Sequence, residues 1–157
     1  MTIWNVLLTV AISATPFVEL RGGIPFALSQ GLSPAAAFAL ALLGNLAVVP
    51  VLLWGLEWIE RLFMRWRFTR RILESVFARS RRKGRWIEQW GVVGLLLLVA
   101  IPLPGTGAWT GALAARLIGL PNKKSLPWIA LGVVIAGVFV LFASLGVIHL
   151  FGLGTVT

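Results

Sequence analysis

Apolar residues run almost unbroken through this chain, and the places where they stop define its elements. Ile3 to Val18 is an apolar run of sixteen residues. As a helix it would span roughly 24 Å, short of a bilayer core about 30 Å thick. Glu19-Leu20-Arg21-Gly22-Gly23-Ile24-Pro25 then sets an acid, a base, two glycines and a proline where a membrane helix would carry leucines. Weak apolar character returns over Phe26 to Leu32. Gly31-Leu32-Ser33-Pro34 predicts a turn, with Ser33 as N-cap and Pro34 in the first helical position. Ala35 to Leu56 follows and is long enough to cross a bilayer.

Residues 57–90 change character. Ile59, Leu62, Phe63, Trp66, Leu73, Val76 and Phe77 recur at roughly helical spacing, with arginines on the other faces. This pattern predicts a basic amphipathic helix at the membrane interface; a solvated linker that serves only topology has the same composition. Apolar character resumes over Gly91 to Leu103 and meets a second break, Pro102-Leu103-Pro104-Gly105-Thr106-Gly107. A short segment, Ala112 to Leu120, carries Arg116. Pro121-Asn122-Lys123-Lys124-Ser125 is a turn, and Leu126 to Phe151 is again of spanning length. The order is therefore short, break, short, long, a basic arm, and the same again. It is a repeat of about 55–60 residues in element pattern, with Gly31-Leu32 and Gly119-Leu120 as equivalent turns.

Composition narrows the class. Of 157 residues, 59% are hydrophobic and 12% charged, and the mean hydropathy is +0.94, which excludes a soluble domain with a polar surface. The net charge of +9 would fit a nucleic-acid binder, but ten of the fourteen Lys/Arg lie between Arg61 and Arg85. A basic block beside spanning segments marks topology and lipid headgroups instead. There is no cysteine, which rules out disulfides and thiol chemistry. No metal-ligand cluster, Ser/His/Asp arrangement or dinucleotide loop appears, so no catalytic residue, metal or cofactor is expected, and the protein is not expected to be an enzyme. The N-terminus lacks the positive region of a signal peptide and is expected to be retained.

Charge also chooses between topologies. Four full crossings with the arm inside would put Lys123 and Lys124 outside, against the positive-inside bias. Re-entrant hairpins put both the arm and the Lys-Lys turn on the cytoplasmic face, with the chain termini outside. The expected fold is an all-α integral membrane protein, an inverted repeat of two re-entrant helical hairpins, each followed by a transmembrane helix. The segments are hairpin 1 at 1–33, a spanning helix at 34–56, the basic cytoplasmic arm at 57–90, hairpin 2 at 91–120 and a spanning helix at 126–153, all in one membrane domain. The two breaks are expected to meet near the midplane.

Outside the arm and the Lys-Lys turn, only Glu19, Arg21 and Arg116 are charged, each costing about 2.5–3.5 kcal/mol at a helix centre. They must be paired or face water. On one reading, Arg21 and Arg116 attract an anion and Glu19 exchanges the coupling proton. On the other, Glu19 and an arginine form a structural pair, and Arg116 snorkels to the cytoplasmic face. Gly22 and Gly23, with Gly105, Thr106 and Gly107, are candidates to offer backbone N–H groups to that anion. Asn45 could line the site, although an interhelical hydrogen bond is the simpler role. Trp109 could line an apolar path or pack in the core.

The paired motifs, Glu19-Leu20-Arg21-Gly22-Gly23-Ile24-Pro25 and Pro102-Leu103-Pro104-Gly105-Thr106-Gly107-Ala108-Trp109, resemble those of the small multidrug export family, a compact relative of the DedA superfamily. The resemblance covers nearly the whole chain. It implies two facing re-entrant hairpins and, through the DedA relatives, movement of undecaprenyl phosphate and other phospholipids with acidic and arginine residues in the hairpins. Glu19, Arg21 and Arg116 match those roles. The expected function is proton-coupled transport of an amphipathic anion such as a lipid phosphate across the inner membrane. The expected partners are membrane lipids, that substrate and protons, with no nucleic acid and with a homodimer as the assembly. The alternatives are export of cationic drugs, or a non-transporting membrane scaffold.

Overall fold

The structure is a computed structural model that describes residues 3–63, 85–103 and 105–150. Among the described residues it is all helical, with six helices: α1 (Ile3–Ala14), α2 (Glu19–Ser29), α3 (Pro34–Phe63), α4 (Arg85–Ala100), α5 (Ala108–Leu117) and α6 (Asn122–Leu150). Two short helices precede a long one, twice. Most of the predicted basic arm lies outside the described residues; α3 starts at Pro34 as expected and runs on into the arm to Phe63. α4 is kinked at Gly91, where φ is +52°.

Polarity is arranged for a solvent that is not water. α3 and α6 contain apolar stretches of 26 and 27 residues, and of an 18-residue apolar window within each only 33% and 22% is buried in the protein. Leu43, Val51, Trp54, Trp58, Phe139 and Phe142 point outward. On α1 the buried residues are Thr9 and Ser13, while Ile3, Trp4 and Leu7 are exposed. The two hydroxyls bond back to the carbonyls four residues earlier, Thr9 to Asn5 and Ser13 to Thr9, each at 2.8 Å. An inside-out helix of this kind is stable in lipid, where apolar residues gain nothing by turning inward.

Several local features recur at a spacing of 88 residues. Positions 88 apart along the chain take equivalent places. At the end of α2, Gly31 (φ +78°) donates to Leu28 O and Leu32 to Ala27 O, while Ser33 Oγ accepts from Ala36 N–H at the start of α3. At the end of α5, Gly119 (φ +75°) donates to Arg116 O and Leu120 to Ala115 O. Both are the same left-handed helix stop, which a glycine adopts without steric cost. Gly44 on α3 lies so close to α1 that an added Cβ would collide with the Val10 carbonyl, and one on Gly132 of α6 would come within 2.8 Å of Val99 on α4. A Cβ on Gly23 would also meet Ala41 at 3.4 Å, and one on Gly111 would meet Ile129 at 3.6 Å, again 88 apart.

The long helices run antiparallel. Asn122, at the start of α6, donates to Leu53 O (3.2 Å) and to Glu57 (2.5 Å) near the end of α3, whereas Gly137 meets Phe38 near its beginning. The Lys123-Lys124 turn therefore lies at the end of the molecule where α3 leads into the basic arm. α2 and α5 extend from the centre toward opposite ends.

One expectation is corrected. The first break is Thr15–Val18, not Glu19–Pro25: α1 ends at Ala14, and Gly22, Gly23 and Pro25 all lie inside α2. Pro25 removes one N–H from the helix but does not end it, because the glycines beside it let α1 and α3 pack closely on the same helix. A Cβ on Gly22 would collide with Val18, and one on Gly23 with the Ser13 hydroxyl.

The close contact at Gly44 makes a test. Gly44→Ala should cost about 1–3 kcal/mol through overpacking, whereas Gly55→Ala, with nothing within 4 Å, should be neutral or slightly stabilising. Thermal unfolding of both variants in detergent checks this.

Candidate functional site

The tips of the two helical pairs cross at the centre of the molecule. Arg21, in the first turn of α2, donates from its guanidinium to the Thr106 carbonyl at 2.6 Å and to the Thr106 hydroxyl at 2.9 Å. Its counterpart 88 positions on is Trp109, in the first turn of α5, whose indole N–H donates to the Ala14 carbonyl at 3.2 Å. Each tip thus supplies a donor to the backbone of the other. Those carbonyls have no helical partner, because each lies where a helix has stopped or not yet begun. In an apolar interior an unmet carbonyl is costly, so the two latches hold the breaks open and together.

Thr106 organises the second tip. Its hydroxyl accepts from Arg21 and from Leu103 N–H, and lies 2.6 Å from Ile101 O and 2.8 Å from Leu103 O for its own proton. Thr110 adds a bond to Gly105 O at 2.7 Å. The loop is a built structure, and Arg21 is held to it from the other pair.

Glu19 is 6% exposed, and its carboxylate lies at the N-terminus of α5. Oε1 accepts from Trp109 N–H at 3.2 Å, and Oε2 abuts Gly107, where a Cβ would collide with the carboxylate. Only glycine can stand there. An anion at a helix N-terminus gains typically about 0.3–1 kcal/mol, and up to about 2 when partly buried. Both charges are tied to the opposite tip.

The backbone explains why this carboxylate is unusual. Phe17 (φ +71°) and Glu19 (φ +48°) are left-handed, and they are the non-glycine residues with positive φ among the described residues. Their counterparts are Gly105 (φ +83°) and Gly107 (φ +141°). Positive φ thus recurs at both tips, and only the second supplies glycine. A left-handed L-residue costs roughly 1–2 kcal/mol, so the first tip holds strain at the residue that carries the acid.

Between α2 and α5 lies a cavity of about 10 Å³, with room for one water at most. Glu19, Leu20, Arg21, Asn45, Gly107 and Ala108 line it, among others. Asn45 is 1% exposed, and both its amide nitrogen and its oxygen lack a hydrogen-bond partner among the described residues. The interhelical bond expected for Asn45 is not made. An unmet buried amide costs about 1–3 kcal/mol.

The predicted residues divide into three groups. Glu19, Arg21, Gly105, Thr106 and Gly107 come together at the crossing. Gly22 and Gly23 do not offer N–H groups to it; the Gly22 N–H bonds Val18 O, and both glycines serve helix packing. Arg116 sits in the last turn of α5, about 12 Å along the helix from Ala108, at the end nearest the Asn-Lys-Lys turn. It has a partner of its own and does not line the cavity beside Arg21. Sequence reasoning underrated Trp109, whose role as a latch needs the position of the other tip. For Asn45 a signal was present, since an amide in the middle of an apolar span is rarely idle.

A family model described as "Putative small multi-drug export protein" matches residues 19–139, which include Glu19, Arg21, Asn45, Thr106 and Trp109. The chain belongs to that family. It is a family of export proteins and not of enzymes, and with the two long apolar helices it marks a membrane protein. No curated protein and no solved structure matches the chain.

The glycine counterpart of Phe17 yields a prediction. Phe17 is 85% exposed, so Phe17→Gly loses little packing and relieves the left-handed strain. It should raise unfolding stability by about 0.5–1 kcal/mol, allowing for the extra chain entropy of glycine. A lowered melting temperature would contradict the strain assignment.

Proposed function

We propose that this protein is a DedA-like membrane transporter that moves an amphipathic anion, most simply a lipid phosphate of the undecaprenyl phosphate class, coupled to protons. One observation carries the reading: the N-termini of α2 and α5 converge from opposite directions on a buried acid and an arginine. Two half-helix N-termini bring positive potential to one point, which suits a phosphate headgroup. Arg21 adds a full charge and planar donors. The backbone of Gly105, Thr106 and Gly107 forms the wall opposite, and Glu19 exchanges the proton. An acyl or isoprenyl chain would stay in lipid, along the apolar outer faces of α3 and α6.

In this reading the short helical pairs are re-entrant hairpins and the two halves are an inverted repeat. Antiparallel α3 and α6 support it, as does the position of Lys123 and Lys124 at the arm end of the molecule. The basic arm and the Lys-Lys turn face the cytoplasm from the inner membrane, and the termini lie outside. Export of cationic compounds is the second reading; the buried Glu19 carboxylate and the family description favour it, while Arg21 beside the cavity opposes it by repulsion.

Glu19→Gln should abolish the pH dependence of lipid-phosphate transport in proteoliposomes; undiminished proton-driven transport would remove Glu19 from the coupling. Lys123→Cys should react with a membrane-impermeant thiol reagent from the cytoplasmic side alone. Labelling from outside would refute the hairpin topology.

A further inference from the structure

Asn45 is the polar group at the crossing that the fold does not use. Its counterpart 88 positions on is Val133, which lines the same cavity from α6. A branched apolar residue therefore serves the packing at this place in the repeat, and the amide on α3 is an addition to it. Its two polar atoms are buried and unpartnered, on a wall they share with Glu19 and Arg21.

The N-terminus of α5 is already occupied. Glu19 presents two oxygens there, one on the Trp109 N–H and one against Gly107. A carboxylate in this position is itself an oxyanion ligand. It is held by a residue in a left-handed backbone conformation, so its seat is strained. The cavity beside it, about 10 Å³, is too small for a phosphate group while Glu19 is in place. An incoming anion needs the room that the carboxylate occupies.

We propose that the crossing is a phosphate-type oxyanion site whose resident ligand is Glu19, and that a substrate oxyanion displaces Glu19 and takes Asn45 Nδ2 as a donor. This deepens the anion-transport reading and rests on it. Displacement would strand a carboxylate in an apolar interior unless it takes up a proton, so anion entry and proton uptake become one exchange with no covalent step. Arg21 is the other charged group on the cavity wall; the lining from α3, α4, α5 and α6 carries no charge. Asn45 acts here as a specificity residue, in contact with the bound headgroup.

The test is calorimetric titration of the purified full-length protein in detergent with dodecyl phosphate at neutral pH. Glu19→Ala, and Glu19→Gln as the variant closest to native shape, should each bind it at least about ten-fold more tightly than wild type, because the internal competitor has lost its charge. Adding Asn45→Val, the residue of the other repeat, should reverse about ten-fold of that gain. Asn45→Val alone should melt no lower than wild type, since it removes an unmet amide; a marked drop would show a structural role and overturn the assignment. Inorganic phosphate following the same order supports a site for free phosphate, and dodecyl phosphate binding alone supports a lipid headgroup. Unchanged or weaker affinity in both Glu19 variants, no effect of Asn45→Val, or equal binding of dodecyltrimethylammonium would each overturn the proposal. The titration needs no transport. Competition without proton-driven transport would keep this site and remove the transport reading.

Discussion

Backbone polarity in an apolar interior is the constraint on which this structure depends. Two chains of helix stop near the centre of the molecule, and every stop leaves carbonyls and N–H groups that lipid cannot satisfy. The solution is reciprocal: Arg21 caps the Thr106 carbonyl, the Trp109 indole caps Ala14, and the Glu19 carboxylate caps the Trp109 N–H. Each bond joins residues 85–95 positions apart, so neither tip can be completed within its own half. The groups that make the site chemically interesting are also those that make it stable.

The scaffold repeats, but the chemistry does not. Glycine stops, close helix contacts and left-handed tip residues recur at a spacing of 88. On that common frame, Glu19 faces Gly107, Arg21 corresponds to Trp109, and Asn45 to Val133. The acid, the base and the amide all belong to the first half, and the small or apolar partner belongs to the second. This division is physically economical: a carboxylate from one tip fits only because its counterpart on the other has no side chain. Two acids at these positions would repel each other in a low-dielectric interior.

Packing follows from the same solvent. With no hydrophobic gain from hiding leucines, helix contacts rest on small residues and short polar side chains. Gly23, Gly44, Gly111 and Gly132 bring the helices close, while large apolar residues of α3 and α6 face outward. The inward positions left on α1 belong to Thr9 and Ser13, whose hydroxyls spend their bonds on their own helix.

The order of elements, the two helix stops at Gly31 and Gly119, the membrane class and the family were legible in the residues alone. Each is local or compositional: a glycine that must turn left-handed, a run long enough to cross, an excess of apolar side chains. The location of the first break was not legible. Glycines and a proline in series read as a bend, yet close contacts from α1 and α3 hold them in a helix, and the bend falls on Thr15–Val18 instead. Nor could the partners of the charges be read. Glu19 and Arg21 are two residues apart, which invites a local pair, but each is bonded to the opposite tip, while Arg116 lies a helix length away. Sequence determined that an acid and a base would interrupt the apolar segments. Only the tertiary structure decided which backbone atoms they face, because those atoms come from the far half of the chain.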